Sequence, residues 1–188
     1  FLDKNTIWNE FDDELAGFSE EKYESLKPLI LEQDIPQLQK AVQEGKLSYT
    51  DLTLFYIYRI RKFESDNNLS LNAVIALNPD VVEQARKLDA RGKLRVNENS
   101  IYGMPVLLKD NINTDNMPTT AGAIALAENQ PSENAFIVER LQDHKALILG
   151  KVNLSEWAYY FCDGCPLGYS AVGGQTLNPY GRKQFETG

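Results

Sequence analysis

The chain has 188 residues, of which 43% are hydrophobic and 24% are charged. These fractions are typical of globular proteins, and they exclude disordered, collagen-like and disulfide-scaffold chains. The formal net charge is −8 and the basic residues are scattered, so nucleic acid is not expected as a partner. No stretch reaches the ~20 apolar residues of a membrane span, so we expect a soluble protein without one. The compartment stays open between cytoplasmic and exported, because a start at Phe1 fits either a processed leader or a trimmed terminus.

Residues 1–66 predict an N-terminal helical segment with three helices. Ser19 precedes an acidic first turn, Asp34 precedes a helix start that contains proline, and Gly45 follows as a C-cap. A third helix is expected from near Ser48 to about residue 64. Its apolar side chains recur at helical spacing and predict a stripe that packs either on the core or in a homodimer: Leu52, Phe55, Tyr56, Ile60 and Phe63.

Residues 67–188 alternate short apolar runs with helical patterns. Strands are predicted at residues 73–77, 104–108 and 146–149. Helices are predicted from the Asn78-Pro79 step to about Arg91, and from a cap at Ser132 to about residue 143. This order predicts an α/β fold, with the N-terminal helical layer followed by the first part of a mixed, largely parallel sheet covered by helices on both faces.

The stretch from Phe161 onward predicts loops, because turn residues follow one another without an apolar run. Three strands fall short of the usual sheet of about five or six, so we expect a single domain, with residues 67–188 as the N-terminal portion of its core, that continues beyond residue 188. Cys162 and Cys165 allow a redox dithiol, half of a zinc site, or two ordinary thiols with or without a local disulfide, and the last interpretation is favoured. The run from Gly173 to Thr176 lacks the spacing of a phosphate loop.

Two titratable residues are weighed as catalytic groups. His144, the only histidine, lies between a predicted helix and the strand that follows it, where a solvated helix-terminal role is favoured and a Ser-His-Asp triad is not. Lys109 and Lys151 lie at predicted strand ends, where ligand sites of parallel sheets form. A lysine such as Lys109, if held in a partly apolar site, can act as a general base. A surface lysine is the alternative there.

Four segments together resemble the amidase signature family. They are Tyr-Gly-Met-Pro-Val-Leu-Leu-Lys-Asp-Asn-Ile (102–112), Pro-Thr-Thr-Ala-Gly (118–122), Leu-Gly-Lys-Val-Asn-Leu-Ser-Glu-Trp (149–157) and Gly-Tyr-Ser-Ala-Val-Gly-Gly-Gln-Thr-Leu-Asn-Pro-Tyr (168–180). Their order and spacing match as well, and the segments that contain Lys-Asp-Asn and Asn-Leu-Ser-Glu-Trp are most similar to the peptide amidase branch. That branch removes the C-terminal amide of peptides.

The resemblance implies an amide hydrolase with a Ser-cisSer-Lys triad, whose lysine matches Lys109. No metal or cofactor is implied. Both serines of the family motif would lie beyond Gly188, and no serine in the sequence, Ser155 and Ser170 included, matches a nucleophile position. The 188 residues alone are therefore not expected to be active.

The resemblance also implies roles for residues around Lys109. Asp110 and Asn111 would orient its loop, and Gln175 would brace the loop that leads towards the serine segment. The expected substrate-binding residues lie in two short stretches: Thr119, Thr120, Ala121, Gly122, Trp157, Ala158 and Tyr159.

Three functions stay open. The first is hydrolysis of a small amide or a peptide amide. The second is that of the catalytic subunit of a glutamine-type amidotransferase, which needs a dedicated partner protein. The third is that of a catalytically inactive family member that only binds ligands. An absence of the two serines further along the chain would support this third function.

Overall fold

The computed structural model describes residues 6–92, 96–161 and 164–181. Four helices form its N-terminal layer, after a short 3-10 turn at Asn9–Phe11: α1 (Asp12–Ala16), α2 (Glu20–Ile30), α3 (Ile35–Gln43) and α4 (Tyr49–Glu64). The last three match the predicted helices. The short helix α1 was not predicted.

The helix starts follow the polar residues that the sequence places there. The Ser19 hydroxyl accepts a 3.1 Å hydrogen bond from the backbone N–H of Lys22, and Ser48 accepts one of 2.9 Å from Asp51. Asp34 and Gln37 form a reciprocal capping box at the start of α3. These side chains satisfy backbone donors that the first helical turn leaves without partners.

The main sheet has three strands, β1 (Val74–Leu77), β2 (Pro105–Lys109) and β3 (Leu147–Val152), in the order β1-β3-β2. Strand β2 is parallel to β3, whereas β1 is antiparallel to it. The mixed sheet and the α/β class are confirmed. However, one of the two strand pairings is antiparallel, because β1 runs in the direction opposite to that of β2 and β3.

Two further helices accompany the sheet, α5 (Val81–Asp89) and α6 (Phe136–Asp143). The prediction that Ser132 caps α6 is wrong, since the N-cap is Ala135 and no side chain caps it. The backbone N–H of Ala135 instead donates a 3.0 Å hydrogen bond to the carbonyl oxygen of Asn113. Residues just before α6 are therefore tied to the loop after β2, and the helix begins later.

Apolar side chains cover both faces of the sheet. Leu147 and Leu149 of β3 join a large cluster with the N-terminal helices and α5. Ile148, which lies between them, joins a second cluster with Leu108 and with Val138 of α6. This alternation is the expected period of a strand. The predicted stripe on α4 contributes Leu52 and Phe55 to the large cluster, so the N-terminal helices pack on the core.

The described end of the chain is mostly loop, as predicted. It contains a small hairpin of β4 (Tyr169–Ser170) and β5 (Gly174–Gln175), and a 3-10 turn at Glu156–Tyr159 precedes it. Cys165 is disulfide-bonded, and Cys162 lies outside the described residues. Within the described ranges, no helix is long and apolar enough to cross a bilayer.

Candidate active site

The carboxyl ends of β2 and β3 meet at one edge of the sheet. Lys109, the last residue of β2, is the register partner of Val152 on β3. Its side chain is exposed, as is that of Asn111. Its ammonium has no hydrogen-bond or ion-pair partner in the part of the chain that the structure describes. The described residues alone therefore do not form the partly apolar site that a lysine base needs, and among them Lys109 is a surface lysine at the strand end.

Asp110, the residue after Lys109, connects the end of β2 to the segment 119–122. It is 1% exposed, and its carboxylate accepts hydrogen bonds from the backbone N–H of Thr120 at 3.3 Å and from the Thr120 hydroxyl. Its carbonyl oxygen accepts a 2.9 Å bond from the N–H of Ala121. Burial raises the pKa of the Asp110 carboxyl, whereas the Thr120 hydrogen bonds and the positive charge of Lys151 oppose that shift.

The predicted substrate-binding residues 119–122 form a tight, mostly buried turn. Ala121 and Gly122 both have positive φ, of 50° and 77°. A Cβ atom on Gly122 would lie 2.6 Å from the Cβ of Ser170, so only glycine fits this close approach. The Ala121 carbonyl accepts a 2.8 Å bond from the N–H of Trp157. The structure thus joins the two stretches that were assigned to substrate binding.

Trp157, Ala158 and Tyr159 form an unusual left-handed turn, with φ of 53°, 52° and 71°. L-amino acids other than glycine rarely adopt this conformation, which marks strained sites. The turn borders a cavity of about 290 Å³ whose wall includes aromatic rings, namely Trp157, Tyr159, Phe161 and Tyr169. Ala158 is exposed and does not line the cavity.

Gln175 lies in the small hairpin and forms hydrogen bonds through both its side chain and its backbone carbonyl. Its side-chain amide donates a 2.6 Å hydrogen bond to the Leu167 carbonyl. Its own carbonyl accepts a 2.6 Å bond from the Asn72 side chain. These contacts are compatible with the predicted bracing of this loop.

Lys151 is the buried lysine of this region, and sequence reasoning did not select it as a site residue. It is fully buried, and its ammonium donates to the carbonyl oxygens of Ile112 and Pro118 and to the Thr119 hydroxyl, at 2.8, 3.3 and 3.0 Å. Burial lowers its pKa, and the negative charge of Asp110 partly opposes the shift. A charged residue inside the apolar run 147–152 was the signal available in the sequence.

Other candidate nucleophiles and bases have structural partners or lie elsewhere. The Ser155 hydroxyl accepts a 2.8 Å bond from the N–H of Gly168, and the buried Ser170 hydroxyl donates to Asn153 at 2.7 Å. His144 is the exposed C-cap of α6, as predicted. No group of three or more metal-ligating side chains occurs in ranges 6–92, 96–161 and 164–181.

The sequence is similar to proteins of one family. A family model described as Amidase matches residues 51–188. A probable amidase of Arabidopsis thaliana is 40% identical over 154 residues, which make up 80% of this chain and 29% of the relative. A glutamyl-tRNA(Gln) amidotransferase subunit from Exiguobacterium sp. is 34% identical over 129 residues, covering 69% of this chain and 26% of that protein.

Solved structures show the same similarity. An amidase family protein from Bacillus anthracis superimposes with a TM-score of 0.90 at 38% identity, over 98% of this chain and 36% of its own. The peptide amidase of Stenotrophomonas maltophilia gives a TM-score of 0.73 at 43% identity, over 80% of this chain and 30% of its own. The chain therefore spans about a third or less of the length of the proteins it resembles.

Proposed function

Since the chain belongs to the amidase family, we propose that the protein that carries it is an amide hydrolase in which Lys109 is the general base. The resemblance given by the four sequence motifs is confirmed by the match over residues 51–188. The observation that carries the proposal is the position of Lys109 in the matched Lys-Asp-Asn motif, at the carboxyl end of β2 and directly before Asp110, which accepts a hydrogen bond from Thr120.

The proposed reaction needs two serines that the family places further along the chain. In the proposed reaction Lys109 takes a proton from the nucleophilic serine through the bridging serine, and the serine oxygen attacks the carboxamide carbon. The C–N bond then breaks, the nitrogen takes up the proton, and ammonia leaves an acyl-enzyme. Water hydrolyses this ester and releases the acid. Backbone N–H groups near the serines would stabilise the tetrahedral oxyanion.

A C-terminal carboxamide of a peptide is the proposed substrate. This choice is supported by the 43% identity to a structure named peptide amidase. It is also supported by the aromatic cavity at Trp157 and Tyr159, which offers apolar surface for the rest of a peptide. In this arrangement Thr119 to Gly122 would border the amide, and Ala158 would hold the turn.

A second candidate is the glutamine-hydrolysing component of an amidotransferase. It is favoured by the relatives named as glutamyl-tRNA(Gln) amidotransferase subunits, at 34% identity for the Exiguobacterium protein. The two candidates differ in substrate, because an amidotransferase component would release ammonia from glutamine and would depend on a partner protein. Neither substrate would be cleaved by a protein that only binds ligands.

The test is ammonia release by the full-length protein and its Lys109→Ala variant, with a peptide amide and with glutamine as substrates. We expect release from the peptide amide, and a loss of about 100-fold or more in kcat on substitution, since a positioned base contributes about 10² to 10⁴. Lys87→Ala, on the exposed face of α5, is the control and should keep wild-type rates. Near wild-type rates in Lys109→Ala would refute the assigned role.

A further inference from the structure

Lys151 is a buried cation that the proposed reaction does not use. All three N–H groups of an ammonium can donate, and three oxygen atoms receive them here, from Ile112, Pro118 and Thr119. Two of these acceptors are backbone carbonyls in the segment that follows Lys109. The ammonium therefore supplies hydrogen-bond donors to two backbone carbonyls of a loop that lies outside the helices and strands.

A β-bulge directs Lys151 towards that loop. On β3, Ile148 is the partner of Val106 and Gly150 is the partner of Leu107, so Leu149 is an extra residue. A bulge turns the following side chains to the opposite face. Lys151 therefore points to the face of Ile148, where Ile112 and Met117 pack, and not to the face of Leu149.

The contacts of Lys151 continue to Lys109 and to the predicted substrate residues. The N–H of Ile112 donates a 3.0 Å bond to the carbonyl of Lys109, while the Ile112 carbonyl accepts from Lys151. Thr119, the other end of the loop, precedes Thr120, which holds the Asp110 carboxylate. A single ammonium thus joins both ends of the 110–120 loop to the central strand.

We propose that Lys151 is a positioning residue, whose buried ammonium holds residues 112–119 against β3 and so sets the placement of Lys109 and of Thr119 and Thr120. The inference rests on the proposed function for its consequence in catalysis. The alternative is a general contribution to stability. A positioning role predicts a local loss of order and a lower rate per folded molecule, whereas a general role predicts only fewer folded molecules.

The experiment compares the full-length protein with its Lys151→Met variant, which keeps the length of the side chain and removes the three donors. Lys87→Met is the matched control, because Lys87 has a side chain that is 68% exposed on α5. Amide hydrogen exchange is followed by mass spectrometry, and kcat and KM for a peptide amide are measured per folded molecule.

In Lys151→Met we expect exchange of residues 110–122 to rise roughly tenfold or more while α2 to α4 keep their protection. We expect kcat to fall about 100-fold, the effect of a misplacement near 1 Å. The control should change neither quantity. A uniform rise in exchange along the chain, or an unchanged kcat per folded molecule, would overturn the inference.

A milder variant covers the case in which Lys151→Met does not fold. Thr119→Val keeps the shape of the side chain and removes one of the three acceptors, together with the 3.4 Å hydrogen bond that the Thr119 hydroxyl donates to the Ile112 carbonyl. It should raise exchange in residues 110–122 by a smaller factor, and no local rise would contradict the proposal. If Lys109→Ala keeps full activity, the proposed function fails, and the exchange data still decide whether Lys151 holds the loop.

Discussion

The side chain of Asn153 occupies the space that a Cβ atom on Gly173 would need. Such an atom would lie 2.5 Å from Cγ and 2.6 Å from both terminal atoms of Asn153. The Asn153 amide cannot move aside easily, because it donates to the Gly174 carbonyl and to the Thr176 hydroxyl, each at 3.0 Å, while its oxygen accepts from Ser170 at 2.7 Å. The end of β3 and the β4–β5 hairpin are thus joined through one buried amide.

The substitution Gly173→Ala should therefore destabilise the fold. The added methyl group displaces Asn153 and leaves buried polar groups without their partners, so we expect a loss of about 1–3 kcal/mol in the free energy of unfolding. Urea denaturation followed by circular dichroism measures this quantity. The change in free energy should appear as a lower midpoint with the same slope.

Gly17→Ala is the control for that substitution. A Cβ atom on Gly17 would meet its nearest neighbour, the Glu14 carbonyl oxygen, at an ordinary 3.7 Å. Gly17 also has a negative φ of −84° at the end of α1, so alanine fits there. We expect a midpoint close to that of the parent protein, and equal losses in the two variants would show that the contact with Asn153 is not the cause.

Local signals in the sequence located most of the regular elements. Ser19, Asp34 and Ser48 mark three helix starts. Capping involves only residues close together in the sequence, because the side-chain oxygen bonds to a backbone N–H of the first helical turn. Apolar runs located the three strands for the same reason. Strand direction is different, since period-2 alternation is identical for a strand that runs either way. The antiparallel β1 depends on the path of the chain, which no local pattern records.

The candidate site was predictable only where a motif carried it. The resemblance selected Lys109, Asp110 and the segment 119–122, which the structure brings to one edge of the sheet. Lys151 was not selected, because strand alternation alone does not reveal the bulge at Leu149 that turns it towards Ile112. Ser132 failed as a helix cap because a distant carbonyl, that of Asn113, holds the chain just before α6.

Tyr49 should make the stability of the protein fall at alkaline pH. Burial, together with the nearby Tyr102 and Asp89, raises the pKa of Tyr49 to about 12 from 10.0. The folded state therefore keeps the phenol proton over a range in which the unfolded state has lost it. This contribution to stability is fully present below the unfolded value and is lost as the pH rises through the folded value. The free energy of unfolding consequently falls as the pH rises above about 10.

The comparison of Tyr49→Phe with the parent protein isolates this effect. The variant loses the 2.9 Å hydrogen bond to Gln39, which lowers its stability by an amount that does not depend on pH. Between about pH 9 and pH 11 the parent should lose about 1 kcal/mol more than the variant, from the value of a pKa unit. Tyr160→Phe, at an 83% exposed ring, should behave like the parent. Parallel curves for all three proteins would contradict the prediction.

The left-handed turn at residues 157–159 should become more stable when Ala158 is replaced by glycine. Ala158 has φ 52° and ψ 34°, a conformation that costs an L-residue about 1–2 kcal/mol and costs glycine nothing. Glycine also makes the unfolded chain more flexible, which lowers the free energy of unfolding by about 0.4–1 kcal/mol. The balance predicts a gain of up to about 1.6 kcal/mol in the free energy of unfolding, measurable by urea denaturation.

Ala125→Gly supplies the comparison that separates strain from flexibility. Ala125 lies in the exposed 3-10 turn Ile124–Leu126 and has no positive φ, so glycine relieves no strain there and only the flexibility of the unfolded chain increases. We expect a loss of about 0.5–1 kcal/mol at this position. The two alanine-to-glycine changes should therefore shift the urea midpoint in opposite directions. Losses of similar size in both would show that the left-handed conformation of Ala158 carries no backbone strain.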